Sequence, residues 1–314
     1  MITKIYIDGS EGTTGLRIYE RLQGREDIEL LKIDPELRKD PKARAEKINA
    51  SDITILCLPD AAAVEAVSLV ENEHVRIIDA STAHRTAEGW AYGFPELSAE
   101  HRKAIVNGKR VANPGCHASG FIVLTYPLIA KGILPANAPL SCFSLTGYSG
   151  GGKKMIAQYE AQEKETELFG PRPYGLSQQH KHLKEMKAVC GLERAPIFTP
   201  IVDDYYAGML VGLPLFSDQL KGVHTLEQLR DFYADYYGGQ KMIRVLPASA
   251  QTERSFLGSN VLAGKDTMEI IVTGNEERLM AYACFDNLGK GASGAAVQSL
   301  NLMMGCDEAK GLCL

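Results

Sequence analysis

Short apolar segments alternate with amphipathic segments over the first hundred residues. The apolar segments have the length of buried strands, and the amphipathic ones repeat their apolar positions with the period of a helix. Strands and helices alternating at this spacing predict a parallel sheet covered by helices. The predicted elements are Lys4–Ile7, Leu16–Leu22, Ile28–Ile33, Ile53–Leu58, Ala62–Val70 and Arg76–Ala80.

The pattern changes after Gly120, where strand-like runs are separated by fewer helical segments. This pattern of strands with few helices between them predicts a mixed α+β second domain. The segment Lys290–Met304 is helical again, and we expect that helix to return to the first domain. The predicted strands of the second domain are Leu140–Thr146, Leu210–Phe216, Met242–Val245 and Met268–Val272.

The composition is that of a globular protein with two domains. The 314 residues are 45% hydrophobic and 23% charged, and no apolar stretch approaches the roughly 20 residues that a membrane span needs. This length suits two domains of ordinary size. The formal net charge of -5 provides no basic surplus for a nucleic acid. We therefore expect no membrane and no nucleic-acid partner, but a small-molecule substrate.

Cysteine usage and the N-terminus both bear on the cellular compartment. Seven cysteines without CxxC pairs suit neither a disulfide framework nor a zinc ribbon, and we expect reduced thiols. The chain begins with a strand-like segment, not with the apolar segment and cleavage site of a secretory signal. These features predict a cytoplasmic protein.

A glycine-rich loop joins the first predicted strand to the first predicted helix. Glycine allows the backbone to turn tightly beside a pyrophosphate, and the amides at a helix start attract its charge. The spacing is G-x-x-G-x-x-G, so an ordinary glycine-rich turn remains the alternative. The predicted cofactor-binding residues of this loop are Gly9, Ser10, Gly12, Thr13, Thr14 and Gly15.

The second predicted strand leaves the choice of dinucleotide open. Asp34 closes this strand, where an acidic residue commonly holds a ribose hydroxyl of NAD. Arg38 and Lys39 follow soon after, and their charges suit the 2'-phosphate of NADP.

Cys116 is the thiol with the most favourable sequence context for reactivity. It follows Asn113-Pro114-Gly115 and precedes the apolar run Phe121–Ala130, so a turn enters a helix at this residue. Amides at a helix start stabilise a thiolate. A small buried apolar residue is the alternative, and we favour it for Cys57, Cys142 and Cys284.

Two histidines lie close together in the segment Gln179–Glu185. We predict that His180 and His182 share one side of an extended segment, with Lys181 opposite. Such a pair can supply the base for Cys116. A metal site with Glu185 and a solvated loop are the alternatives.

A second glycine-rich turn, Thr146–Lys154, follows the predicted strand Leu140–Thr146. Its backbone amides and two lysines suit an anion, and a flexible solvated loop is the alternative. Ser149, Gly150 and Lys153 are the candidate anion-binding residues of this turn.

Taken together, these segments resemble N-acetyl-gamma-glutamyl-phosphate reductases of arginine biosynthesis in their shorter form. The resemblance covers nearly the whole chain and depends on several separate motifs. They are the loop Gly9–Gly15, Ile78–Arg85, Trp90–Leu97, Asn113–Cys116, Ser149–Lys153, the pair His180 and His182, Phe198–Pro200, and Asp286–Gly294.

The resemblance implies an α/β plus α+β fold class, with a Rossmann-type NAD(P)-binding domain and a semialdehyde-dehydrogenase-like mixed-sheet substrate domain. On this basis we expect residues 1–116, completed by 286–314, to bind NADP, and residues 117–285 to bind substrate and to form a homo-oligomer, a dimer or a tetramer. Ser81, Asn287 and Lys290 are then further cofactor-binding residues.

The resemblance also implies a reaction, the NADPH-dependent reduction of N-acetyl-L-glutamyl 5-phosphate to N-acetyl-L-glutamate 5-semialdehyde and phosphate. Cys116 is the expected nucleophile, which forms a thioester that hydride then reduces. We favour His182 as acid/base, with His180 as the alternative. Arg85 joins the candidates that bind the departing phosphate, and we expect no metal.

The sequence departs from the common pattern of these reductases at three places. His117 stands where many members have tyrosine, Thr82–Arg85 replaces Ala-Asp-Phe-Arg, and Ser149–Lys153 replaces Ser-Gly-Ala-Gly-Arg. The alternatives are another acyl-phosphate reductase, such as an aspartate or aminoadipate semialdehyde dehydrogenase, and a non-catalytic NADP-binding sensor. A cysteine hydrolase ranks last, because it leaves the loop Gly9–Gly15 without a purpose.

Overall fold

The structure is a computed structural model, which describes residues 2–247 and 255–314. The chain divides into two units, Met1–Pro114 with Ala292–Leu312, and Gly115–Gly291 with Cys313–Leu314. Each unit has its own sheet. No helix of the described residues is long and apolar enough to cross a membrane.

The first unit is built on a parallel sheet, as its alternating pattern predicts. Within the described residues the sheet has six strands in the order β2-β1-β3-β4-β6-β5, all parallel. Its elements are β1 (Thr3–Asp8), α1 (Thr13–Leu22), β2 (Ile28–Leu31), α2 (Pro41–Ala50), β3 (Ile53–Leu56), α3 (Asp60–Ser68), β4 (Arg76–Asp79), β5 (Ala91–Tyr92), α4 (Ala99–Asn107) and β6 (Arg110–Ala112).

Helices cover both faces of this sheet because successive strand residues point to opposite sides. Ile5 and Ile7 of β1 pack in one apolar cluster with residues of α1 and α4. Tyr6, between them, packs in a second cluster with residues of α2 and α3. The last helix, which we label α9 (Gly294–Met304), contributes Leu300 to the first cluster. The C-terminal segment therefore belongs to the core of the first unit.

The second unit contains a mixed sheet. Among the described residues it has seven strands, in the order β11-β12-β13-β10-β7-β9-β8. Its elements are α5 (Cys116–Ala130), β7 (Ser141–Gly147), α6 (Gly152–Tyr159), β8 (Arg172–Pro173), α7 (His182–Cys190), β9 (Ile197–Asp203), β10 (Met209–Phe216), α8 (Leu226–Tyr236), β11 (Ile243–Val245), β12 (Met268–Gly274) and β13 (Arg278–Phe285), followed by the π-helical turn Gly289–Ser293. The mixed sheet confirms the predicted fold class.

Helix α5 lies directly on the second sheet. A Cβ added at Gly120 would come within 2.3 Å of Val211 on β10, so only glycine permits this approach. Pro127 interrupts the hydrogen bonding of α5 because proline has no N–H to donate to the carbonyl of Val123. The Tyr237 hydroxyl donates to that carbonyl instead, at 2.6 Å. The helix that begins at Cys116 is thus held against its own unit despite the proline.

The structure corrects one local prediction. The pair His180 and His182 does not lie on an extended segment, since α7 begins at His182 and the preceding Lys181 is in the right-handed helical region. The His182 amide donates to Nδ1 of His180 at 3.2 Å. An imidazole thus accepts a hydrogen bond from an amide of the first helical turn, which has no partner inside the helix.

Candidate active site

The loop after β1 requires glycine at two positions. Gly9 has φ of +86°, and a Cβ there would lie 2.4 Å from the Cys57 carbonyl oxygen. A Cβ at Gly15 would lie 2.3 Å from the Gly9 carbonyl oxygen. Gly12 has room for a Cβ, at 3.4 Å from the same oxygen. The close packing at Gly9 and Gly15 folds the loop tightly over the start of α1.

Helix α1 begins at Thr13 without side-chain capping. Gly12 occupies the N-cap and offers no side-chain hydrogen bond. The amides of the first turn have no partner inside the helix, and they carry the positive end of its dipole. Ser10, Thr13 and Thr14 are partly exposed around this end. The chain therefore fits the pyrophosphate of a dinucleotide here.

A cavity of about 520 Å³ adjoins this loop in the first unit. Asp34 lies in a turn, where it accepts a hydrogen bond from the Glu36 amide, and Arg38 forms an ion pair with Glu11. The cavity is lined by Tyr6, Ile7, Asp8, Gly9, Ser10, Glu11, Tyr19, Leu30, Leu31, Lys32, Ile33, Pro35, Arg38, Lys39 and Leu58. Three cations of this lining, Lys32, Arg38 and Lys39, belong to the segment that follows β2, and a dinucleotide ribose is bound after the second strand in this type of fold.

Ser81 and Arg85 lie beyond the end of β4. The Ser81 hydroxyl donates to the buried Asp79 carboxylate at 2.7 Å, and Nδ1 of His84 lies 2.6 Å from the same carboxylate. Arg85 donates through Nε to the Asn113 carbonyl at 2.9 Å. In the first unit, these contacts make Ser81 and Arg85 part of the framework of their loop.

Cys116 is the first residue of α5, which confirms the predicted turn into a helix. Gly115 precedes it as the N-cap, and the Gly115 amide donates to Oε1 of Glu185 at 2.8 Å. A Cβ at Gly291 would lie 3.1 Å from the Cβ of Cys116. The backbone around this thiol is therefore fixed on two sides, by a buried carboxylate and by a glycine.

The thiols of the chain differ in exposure. Cys116 and Cys57 are partly exposed, whereas Cys142, Cys190 and Cys284 are buried. Burial raises the pKa of Cys142 and of Cys190, and burial beside Asp79 raises the pKa of Cys57 to about 12. Such thiols stay protonated and unreactive. This agrees with the prediction that Cys57, Cys142 and Cys284 are structural.

Three histidine rings form a group in the second unit. The ring centroid of His117 lies 5.7 Å from that of His180 and 5.6 Å from that of His182, and the last two are 4.7 Å apart. His182 and His117 are both buried. Both predicted acid/base candidates, His180 and His182, thus lie beside the ring of His117, which follows Cys116 in the chain.

His117 also connects two hydroxyl groups. Its Nδ1 lies 2.7 Å from the Ser144 hydroxyl and its Nε2 lies 2.7 Å from the Tyr174 hydroxyl. Burial, reinforced by the nearby His180, lowers the pKa of His117 to about 3. His117 is therefore a neutral imidazole at physiological pH. Sequence reasoning assigned no role to His117 or Tyr174, and their separation of 57 residues gives no local signal.

The second glycine-rich turn is joined to the segment that contains Asn287. The Asn287 side chain donates to the buried Ser149 hydroxyl at 3.0 Å and accepts from the Gly208 amide at 2.9 Å. Gly150 and Lys153 are exposed, and Lys153 lies in the first turn of α6. Lys290 is buried in the π-helical turn. The structure thus groups Ser149 with Asn287, although the sequence assigned them to different ligands.

In the part of the chain that the structure describes, no group of three or more His, Cys, Asp or Glu side chains is arranged to hold a metal ion. Glu185, the proposed third ligand of a metal site with His180 and His182, instead accepts a hydrogen bond from Gly115.

Comparison with protein families defines the class of this protein. Residues 4–105 match the family model "Semialdehyde dehydrogenase, NAD binding domain", and residues 116–287 match "Semialdehyde dehydrogenase, dimerisation domain". The protein is therefore of the semialdehyde dehydrogenase class. The first match indicates a nicotinamide cofactor, and the second indicates that the protein oligomerises.

Relatives of known name narrow this class. The chain is 46% identical over 318 aligned positions to N-acetyl-gamma-glutamyl-phosphate reductase 2 of Nostoc sp., with 98% of this chain and 99% of the relative covered. It is 48% identical to N-acetyl-gamma-glutamyl-phosphate reductase of Chelativorans sp., with 97% and 99% covered. The chain belongs to the family of N-acetyl-gamma-glutamyl-phosphate reductases, as the motifs predicted.

Solved structures share the fold at much lower identity. Aspartate semialdehyde dehydrogenase II from Vibrio cholerae superposes with a TM-score of 0.72 at 14% identity, covering 97% of this chain and 99% of that one. Aspartate semialdehyde dehydrogenase from Candida albicans superposes with a TM-score of 0.64 at 12% identity, covering 97% and 99%. At this identity the likeness concerns the fold.

Proposed function

We propose that the protein catalyses the NADPH-dependent reduction of N-acetyl-L-glutamyl 5-phosphate to N-acetyl-L-glutamate 5-semialdehyde and phosphate, in arginine biosynthesis. The observation that carries the proposal is the identity of 46% and 48% to reductases of this name over almost their whole length. The partly exposed Cys116 at the start of α5, beside the histidine group, supports a reaction through a covalent thioester.

Cys116 acts as the nucleophile. Its thiolate attacks the acyl carbonyl carbon, the bond from that carbon to the phosphate oxygen breaks, and phosphate leaves with the bonding electrons. A bound nicotinamide cofactor supplies the hydride that reduces the resulting thioester. The carbon–sulfur bond then breaks, which releases the aldehyde and restores the thiolate. The amides at the start of α5 stabilise negative charge on this sulfur in both states.

His182 is the acid/base that transfers the proton of the oxygen in the reduced intermediate, and His180 is the alternative. His182 is buried at the start of α7, and its ring lies within 5.6 Å of the ring of His117, the neighbour of Cys116 in the chain. A histidine works in this role because its ordinary pKa lies near neutrality. Each histidine is replaced singly, in His182→Asn and in His180→Asn. The histidine whose replacement causes the larger loss of kcat is the acid/base.

NADP is the preferred cofactor in this proposal. Lys32, Arg38 and Lys39 line the cavity beside the loop after β1, and cations at this position favour a 2'-phosphate. The residues that hold the cofactor are the loop residues Gly9, Ser10, Gly12, Thr13, Thr14 and Gly15, together with Ser81, Asn287 and Lys290. We assign the substrate and its phosphate to Arg85, Ser149, Gly150 and Lys153, and we expect a cytoplasmic homodimer or homotetramer.

One assay tests the reaction, the substrate and the cofactor together. The purified protein is supplied with N-acetylglutamate semialdehyde, inorganic phosphate and NADP, and the reduced cofactor is followed by its absorbance. We expect phosphate-dependent reduction with NADP and a much slower rate with aspartate semialdehyde or with NAD. Cys116→Ser should lose activity, whereas Cys313→Ser, at an exposed thiol, should retain it. Full activity of Cys116→Ser would exclude the thioester.

A further inference from the structure

Several polar side chains converge on His117, the residue that follows Cys116 in the chain. Its two ring nitrogens lie 2.7 Å from the Ser144 hydroxyl and 2.7 Å from the Tyr174 hydroxyl. Its ring also contacts the rings of His180, His182 and Phe198. The function proposed above gives this residue no task. A buried ring that touches both acid/base candidates and follows the nucleophile in sequence is placed to organise them.

The neutral state of His117 restricts how its two hydrogen bonds run. A neutral imidazole has one N–H donor and one acceptor nitrogen. If Nε2 carries the proton, the Ser144 hydroxyl donates to Nδ1 and Nε2–H donates to the Tyr174 oxygen. The Tyr174 hydroxyl proton is then available to another acceptor. If Nδ1 carries the proton instead, the Tyr174 hydroxyl donates to His117 and offers nothing to the thiol.

We propose that His117 is a positioning residue, which carries its proton on Nε2 and thereby directs the Tyr174 hydroxyl as a hydrogen-bond donor toward negative charge at Cys116. The donated hydrogen bond would stabilise the thiolate before attack and the negatively charged carbonyl oxygen formed on attack. No proton leaves Tyr174 in this role, since the hydroxyl only donates. The inference rests on the function proposed above and adds His117 and Tyr174 to its active site.

The surroundings of the tyrosine support a neutral donor. Burial raises the pKa of Tyr174, and a negative charge on Cys116 would raise it further, so the hydroxyl keeps its proton. The polar groups that face this pair are Ser144 on β7, His182 on α7 and His180 before that helix. Glu185, also on α7, accepts a hydrogen bond from the Gly115 amide.

The test measures the reactivity of the Cys116 thiol directly and needs neither substrate nor cofactor. The rate of alkylation of Cys116 by iodoacetamide is followed against pH by peptide mass spectrometry, with the exposed Cys313 as internal reference. Tyr174→Phe removes the donor, and His117→Phe keeps a ring but removes both nitrogens. Each should raise the pH midpoint of Cys116 alkylation by about one unit, the size of a charge-assisted hydrogen bond.

Two further variants separate positioning from a merely structural role. In His117→Gln an amide can reach the place of Nε2 and donate to Tyr174, so this variant should restore most of the wild-type midpoint. The double variant His117→Phe/Tyr174→Phe should shift the midpoint no further than Tyr174→Phe alone, because His117 acts through the hydroxyl. Additive shifts, or a wild-type midpoint in Tyr174→Phe, would overturn the inference.

The outcomes distinguish this inference from the proposed function. One outcome is that Cys116 is alkylated faster than Cys313 at neutral pH, with a pH midpoint that neither substitution changes. That result would support Cys116 as the nucleophile and would contradict the role of His117. If Cys116 is no more reactive than Cys313 in the unchanged protein, the thiolate nucleophile falls, and the inference falls with it. Thermal unfolding of each variant verifies its fold. If His117→Phe fails to fold, the test is decided by Tyr174→Phe, which removes a single oxygen atom.

Discussion

The carboxylate of Glu185 accepts a hydrogen bond from the Gly115 amide at 2.8 Å, one residue before Cys116. Glu185 and His182 are three positions apart on α7 and therefore share one side of that helix. A single helix thus carries a histidine of the ring group and the acceptor that fixes the turn before the proposed nucleophile. The backbone at Cys116 is therefore connected to the proposed acid/base histidine through one helix.

Removing this carboxylate should impair both stability and turnover. Glu185→Ala leaves the Gly115 amide without its acceptor, in a place where Glu185 is only 2% exposed. We expect a loss of about 1–3 kcal/mol in the free energy of unfolding and a fall in kcat of about tenfold or more, because the thiol is misplaced. Urea unfolding and steady-state kinetics measure the two effects. Glu193→Ala, at an exposed position, is the control and should change neither.

Alanine substitutions at different glycines of the loop after β1 should have different effects on cofactor binding. A Cβ at Gly15 collides with the Gly9 carbonyl oxygen at 2.3 Å, whereas a Cβ at Gly12 lies at an ordinary contact distance of 3.4 Å. Gly15→Ala should therefore raise the KM for NADPH by about tenfold or more, and Gly12→Ala should have the smaller effect. Alkylation of Cys116 in the second unit should be unchanged in both variants. Equal KM values for the two variants would contradict the role of close packing.

The cations of the cavity should determine the cofactor preference. Arg38→Ala/Lys39→Ala removes two positive charges from the cavity lining. We expect the KM for NADP to rise by about tenfold, the loss of one charge-assisted contact or more, while the KM for NAD stays near its original value. Lys42→Ala on the exposed part of α2 is the control. A parallel rise for both cofactors would indicate a general effect on the loop instead of recognition of the 2'-phosphate.

Local features of the sequence predicted the parts of the site that are local in the structure. The loop Gly9–Gly15 stands between a strand and a helix, and Cys116 stands between a turn and a helix, so contiguous residues define each of them. By contrast, Glu185 meets Gly115 across 70 residues and Tyr174 meets His117 across 57. No periodicity or spacing encodes such contacts, because α7 and the residue after β8 meet the start of α5 only in the folded chain.

The missed elements have physical reasons as well. Strand β9 (Ile197–Asp203) contains Pro200, and a proline normally argues against an interior strand. The His180 and His182 segment follows a loop rich in glycine and proline, which favours an extended prediction, yet α7 begins at His182. There the hydrogen bond from the His182 amide to His180 stabilises a helix start that lacks the usual capping residue.

His117 should make the protein less stable in mild acid. Its folded-state pKa of about 3 lies below the ordinary value of 6.5, so the unfolded state binds more protons between these two values and stability falls as the pH drops through this window. Between pH 7 and pH 5 we expect a loss of about 2 kcal/mol from this residue. Urea unfolding at several pH values measures it, with His117→Gln as the matched variant. An identical pH dependence in both proteins would contradict the neutral imidazole.

Tyr237 and Pro127 should be energetically coupled in the helix that begins at Cys116. Tyr237→Phe leaves the Val123 carbonyl without its donor, and we expect a cost of about 1–3 kcal/mol in the free energy of unfolding. In a Pro127→Ala background the restored N–H of residue 127 can satisfy the same carbonyl. Tyr237→Phe should then cost less than half as much, which a double-mutant cycle measures. Equal costs in the two backgrounds would mean that the hydroxyl stabilises α5 by some other contact, and that the proline is tolerated for a different reason.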